Sequence, residues 1–157
     1  MWLGIGIALL CIGMAAWPIM QLIPSERQKE IIAIRQLAMR LGFKVEIKQP
    51  DLPKALEQQF IFSGKALYLI AQKQKQLNHT PLLALRSKHS GEWFWLENNP
   101  PARLIEPLQK AYQKLPDSIF AVEHQSYGTG VYFNERGDEA ALEQLKQTII
   151  QINKVSG

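Results

Sequence analysis

The chain has 157 residues, 18 basic against 14 acidic side chains for a formal net charge of +4, and a single cysteine. That length suits one domain, and one cysteine excludes any intramolecular disulfide, so the fold must be held by its core. An apolar content of 46% excludes a chain disordered throughout, while so modest a net charge, with no recognised binding motif, argues against nucleic acid as a partner.

Residues 2–23 are 22 positions without a charge, and Gln21 is their only strongly polar side chain. As a helix they would measure about 33 Å at 1.5 Å per residue, enough to cross a bilayer. Trp2 and Trp17 stand towards opposite ends, where indoles favour the interface, and Gly4, Gly6, Gly13 and Pro18 are commoner in spans than in soluble helices. Pro18 either kinks the helix or sets its last turn at the interface. Gly13 and Ala15 also fit a cleavable signal peptide. However, no Lys or Arg precedes the run, whereas Arg27, Lys29, Arg35 and Arg40 follow it and act as a topology signal for the cytoplasmic side. Bulky Leu10 before Cys11 speaks against a lipoprotein. The expectation is a transmembrane anchor over 1–24, a signal anchor at the bacterial inner membrane with the following domain cytoplasmic, the periplasm being the alternative.

Ser25 followed by Gln28 makes a capping-box pattern, and Ile31, Ile34, Leu37, Ala38 and Leu41 recur at helical spacing up to a stop at Gly42. This predicts an amphipathic connector helix over 25–42, its stripe packed on the following domain or laid in lipid headgroups. Phe43 to Lys48 alternates as a half-buried strand. Residues 55–62 are ambiguous, 66–72 read as a strand, and Leu82–Arg86 with Trp93–Leu96 as a hairpin through Ser90-Gly91. Leu104 to Leu115 has helical periodicity that Pro107 must open or kink. Ile119–Glu123 and Val131–Asn134 form a second hairpin around residues 126–130, and Asp138 can cap a last helix from Glu139 to Asn153. The fold class expected is α+β: one transmembrane helix, then a domain over 43–157 with a mainly antiparallel sheet and helices packed on it.

The Trp-rich apolar start, Pro24-Ser25-Glu26-Arg27-Gln28-Lys29 and the closing run from Gly130 to Asp138 together resemble a group of small single-span membrane proteins of proteobacteria. The first 45 residues also resemble the small single-span accessory subunit of the bacterial preprotein translocase. The later prolines and the aromatic hairpin have no place in that family.

No residue pattern assembles a catalytic site. His79, His89 and His124 lack the spacing of a metal motif. Glu123 and His124 are adjacent on a strand and so face opposite ways, and Gly128-Thr129-Gly130 lacks the remainder of any phosphate-binding pattern. Trp93, Phe94 and Trp95 crowd one strand, with Phe94 facing away from the tryptophans, as core packing or as a partner surface. No acidic residue occurs between Glu57 and Glu92, so Lys65, Lys73 and Lys75 are candidates for anionic-lipid contact. The expected function is therefore an interaction or accessory protein of an inner-membrane complex, with membrane lipid and a membrane protein as partners, no cofactor and no catalytic residues. The alternatives are an enzyme using His124 with Glu123 or Asp117, and a translocase accessory subunit.

Overall fold

The computed structural model describes residues 25–57, 66–71, 82–88, 90–96 and 98–156. The chain forms two compact units, 1–33 and 34–157. The first is described only from Ser25, where helix α1 (Glu26–Arg40) begins. Its start is a capping box: the Gln28 amide donates to Ser25 Oγ at 3.3 Å, and the Ser25 amide donates to Gln28 Oε1 at 2.9 Å. Two orphan amides of the first turn are thereby satisfied.

The second unit contains the end of α1, then β1 (Lys44–Glu46), a single turn α2 (Lys54–Glu57), β2 (Leu67–Ala71), β3 (Leu82–Arg86), β4 (Trp93–Leu96), α3 (Ala102–Tyr112), β5 (Ile119–Gln125), β6 (Gly128–Phe133) and α4 (Glu139–Ser156). The described strands form one sheet in the order β1-β2-β6-β5-β3-β4, with every neighbouring pair antiparallel. Because side chains alternate along a strand, the register lines up two rows across the sheet. Trp95, Ala84, Val122, Val131, Tyr68 and Val45 share one face, and Phe94, Leu85, Ala121, Tyr132, Leu67 and Glu46 share the other.

The first row belongs to the main core, with Leu108 and Tyr112 of α3, Leu142, Leu145, Ile149 and Ile152 of α4, and Ala38 of α1. The second face is buried as well: Leu67, Leu69, Leu85, Ala121 and Tyr132 form a second cluster against which Leu52, Leu83, Leu96 and Phe120 pack. Pro107 lies inside α3 rather than opening it. It is exposed, so the hydrogen bond its ring removes leaves a carbonyl near water. Asp138 caps α4, its Oδ1 accepting from the Ala141 amide at 2.9 Å.

The hairpin expected around residues 126–130 is tighter than its glycines suggest. Strand pairing runs to Gln125↔Gly128, so Ser126 and Tyr127 make the turn and both glycines lie within β6. They are there for space. A Cβ on Gly130 would lie 2.5 Å from Leu67 Cδ1, and one on Gly128 would collide with the Ile70 carbonyl oxygen of β2. Backbone cannot yield as a side-chain tip can, so Gly128→Ala should destabilise the fold by about 2–3 kcal/mol in denaturant unfolding. A loss below about 0.5 kcal/mol, ordinary for a surface site, would mean that β2 and β6 do not approach so closely.

The expected N-terminal transmembrane helix is corrected here, and with it the signal anchor and the single-pass inner-membrane placement. Among the described residues no helix is long and apolar enough to cross a membrane. The longest, α4, has 18 residues but carries Glu139, Glu143, Lys146 and Lys154, and α1 is charged along its length. The apolar run over 1–24 that carried the expectation, with Trp2, Trp17 and Pro18, lies outside the described residues. The α+β architecture with a mainly antiparallel sheet stands.

Candidate functional site

Among the described residues, three polar clusters are built into the fold. On the helix face, the His124 imidazole of β5 is 8% exposed. The Thr129 hydroxyl lies 2.8 Å from its Nδ1, and the Tyr112 hydroxyl of α3 lies at its Nε2. In the neutral ring one nitrogen donates and the other accepts, so the two hydroxyls complete its hydrogen bonding. Trp93 and Trp95 pack on Tyr112 with ring centroids 5.1 and 5.6 Å away. Burial alone pushes His124 down to about 4 and raises the Tyr112 phenol well above its usual range.

Glu123 points to the opposite face. Its carboxylate accepts from the Tyr132 hydroxyl at 2.6 Å, from Lys48 Nζ at 2.7 Å and from Nε2 of the Gln125 side chain. Desolvation, followed by the bond to Glu123, raises the Tyr132 phenol. The third cluster lies at the β6–α4 connection, where Glu135 is 2% exposed and has φ +52°. It takes both prongs of Arg35, Nε at 2.7 Å and Nη2 at 3.1 Å, together with the Tyr68 hydroxyl at 2.8 Å. The bond to Glu135 raises the Arg35 guanidinium, and burial, then Glu135, raises the Tyr68 phenol.

These clusters hold the fold; they do not converge on a reacting centre. Glu123 and His124 occupy opposite faces, and Asp117 is exposed, paired with Arg86 Nη2 at 2.6 Å. Grooves of about 410 and 440 Å³ flank the β3–β4 turn, and neither is lined by His124 or Glu123. Arg86, which lines the first beside Lys88, is committed to Asp117, to the Pro116 carbonyl at 3.1 Å and to the Gly91 carbonyl at 3.2 Å. It ties the β3–β4 turn to the α3–β5 loop.

Of the cations expected to mark topology, Arg27 and Lys29 pair with Glu30 and Glu26 on α1, Arg40 is exposed at its end, and Arg35 is the partner of buried Glu135. Lys65, Lys73 and Lys75 lie outside the described residues, as do His79 and His89. Sequence reasoning missed Glu135, Tyr112, Thr129 and Lys48, whose partners are all distant in the chain or across the sheet.

Trp93, Phe94 and Trp95 are the candidates that the structure places most informatively. They occupy β4, the outermost strand on one side of the sheet. Trp93 and Trp95 face the helices, half-buried, while Phe94 is on the other face, 37% exposed. The Ser87 amide donates to the Glu92 carbonyl at 2.8 Å, which makes 87 and 92 a hydrogen-bonded pair. Such pairs alternate along an antiparallel ladder. Phe94 and Leu96 therefore direct their backbone groups inwards to β3, and Trp93 and Trp95 direct theirs outwards. Among the described residues no strand pairs with that outer side.

The two edges differ in kind. β1 is three residues long and bears Lys44 and Glu46, ion-paired at 2.7 Å, so it is short and guarded by charge. β4 is Trp-Phe-Trp-Leu, without charge, proline or bulge, and its register with β3 is regular. Charge, proline and bulges are among the devices by which natural sheets guard their edges, and none of the three falls on these four residues. No family model, curated protein or solved structure matches this chain.

Proposed function

We propose that residues 34–157 act as a protein-binding module that takes up an extended segment of protein as an added strand along β4. The uncharged aromatic outer edge carries this reading: strand addition needs a row of outward backbone groups on a rigid support, with side-chain surface on both faces for selectivity. Trp93 and Trp95 provide the outward groups and are locked against Tyr112. Phe94 and Leu96 provide apolar surface on the far face.

Photo-crosslinking in cells tests this. With benzoyl-phenylalanine replacing Phe94, protein adducts should form in clear excess over those from the same group at Met39 or Ile47, which are also exposed and apolar. Adducts from Met39 or Ile47 with none from position 94 would overturn the assignment of the binding edge.

A further inference from the structure

We infer that Tyr112 and His124 form a one-electron redox pair, in which the phenol gives its proton to the imidazole as it is oxidised, with Trp93 and Trp95 carrying the oxidising equivalent in from the surface. This activity is independent of strand addition. The neutral imidazole donates from one nitrogen and accepts at the other. A phenol is a far stronger acid than an aliphatic alcohol and so the better donor. Tyr112 therefore donates to Nε2, and Nδ1 donates to the Thr129 hydroxyl at 2.8 Å.

Loss of an electron makes a phenol strongly acidic, and its proton passes to a base that lies within hydrogen-bond reach. Nε2 is that base. The imidazolium so formed donates from both nitrogens, to the Tyr112 oxygen and to Thr129, so both hydrogen bonds survive the transfer and no side chain has to turn. Burial favours the neutral ring of His124 and the neutral phenol of Tyr112. When an electron returns, the proton therefore returns with it, and the pair is reset.

The path inwards is made of rings in contact. Trp93 is half-buried and lines the groove of about 440 Å³ at the β3–β4 turn, where a small oxidant meets it. Its ring centroid is 5.1 Å from that of Tyr112, and Trp95 lies 5.6 Å from Tyr112 and 6.3 Å from His124. The Arg86 guanidinium stands 5.8 Å from the Trp93 centroid, and a fixed cation there disfavours a positive charge resting on the indole. The other two buried phenols differ. Tyr68 and Tyr132 donate to Glu135 and Glu123, carboxylates already paired with Arg35 and Lys48. Their ring neighbours among the described residues are Phe43, Phe133 and Phe120, and phenylalanine is much harder to oxidise than tryptophan.

The oxidant is a small diffusible radical, for which the azide radical is the probe. It takes one electron from Trp93 and leaves as the azide anion. Trp93 in turn takes one electron from Tyr112, whose O–H bond breaks as the proton binds Nε2 of His124. The products are azide, a neutral Tyr112 phenoxyl radical and imidazolium. One electron from a reductant such as ascorbate, with the proton from Nε2, restores the phenol.

Pulse radiolysis of the purified full chain with azide radicals tests the pair. Tryptophanyl absorbance should decay into tyrosyl absorbance in a first-order phase that is independent of protein concentration and slower in heavy water. Tyr112→Phe should lose that phase and leave a long-lived tryptophanyl radical. In wild type frozen after the pulse, electron paramagnetic resonance should show a tyrosyl radical coupled to a histidine nitrogen, assigned with isotope-labelled histidine. The same phase in Tyr112→Phe, equal rates in ordinary and heavy water, or a tyrosyl radical with no histidine coupling would each overturn the inference. The last two are read on wild type, so they decide the matter even if the variant does not fold.

Discussion

Glu135→Ala should lower stability by about 3–5 kcal/mol, the cost of leaving one member of a buried ion pair uncompensated. Glu135 is 2% exposed and receives two bonds from Arg35 and one from Tyr68. Its removal strands the Arg35 guanidinium, only 23% exposed, and a buried phenol that has lost its acceptor. Thermal unfolding should shift by about 10 °C or more for a domain of this size. The double variant Arg35→Met/Glu135→Gln should recover part of the loss, because it removes both charges together. A loss within about 1 kcal/mol for Glu135→Ala would place the pair with ordinary surface salt bridges and contradict its role in fixing the second half of α1.

Acidification should expose the second large effect, through His124. Burial holds the folded-state imidazole down to about 4, against about 6.5 in an unfolded chain. Between those values the unfolded chain binds a proton that the folded chain refuses. The contribution of His124 is therefore full above about pH 6.5 and declines as pH falls towards 4, about 3 kcal/mol being lost in all. Geometry gives the same sign: an imidazolium must donate from both nitrogens, so whichever of the Tyr112 and Thr129 hydroxyls donates to the neutral ring must turn its proton elsewhere in the core. Denaturant unfolding at pH 7 and pH 4.5 should show His124→Gln losing markedly less stability than wild type over this interval. Equal losses would mean that the ring titrates freely in the fold.

Local pattern made much of the domain legible. The capping box at Ser25 and Gln28, the alternation at Trp93–Leu96 and the cap at Asp138 are contacts within a few residues, and each forms as the sequence suggests. The opposite orientation of Glu123 and His124 was also readable from alternation alone. Strand order was not. β6 sits between β2 and β5, and pairing such as Leu67↔Tyr132 is decided by the joint packing of distant segments.

Arg35 shows the limit most plainly. Beside an apolar run it reads as a flanking positive charge, yet its partner Glu135 is 100 residues away. Nor does Asn134-Glu135-Arg136-Gly137 advertise that its glutamate is the buried one, with a left-handed backbone. Residues 126–130 mislead differently: their glycines suggest a loop, but Gly128 and Gly130 are strand residues chosen for absent side chains. The aromatic run at 93–95 was visible as a candidate surface, but its place at the edge of the described strands is one that no local pattern encodes.

Residue-resolved amide exchange on β4 of the purified chain tests its outward backbone groups most directly. The Trp93 and Trp95 amides should exchange fast while those of Phe94 and Leu96, directed at β3, exchange slowly. Tryptophan amides as protected as those of Phe94 and Leu96 would contradict the claim that β4 is the edge at which this protein binds.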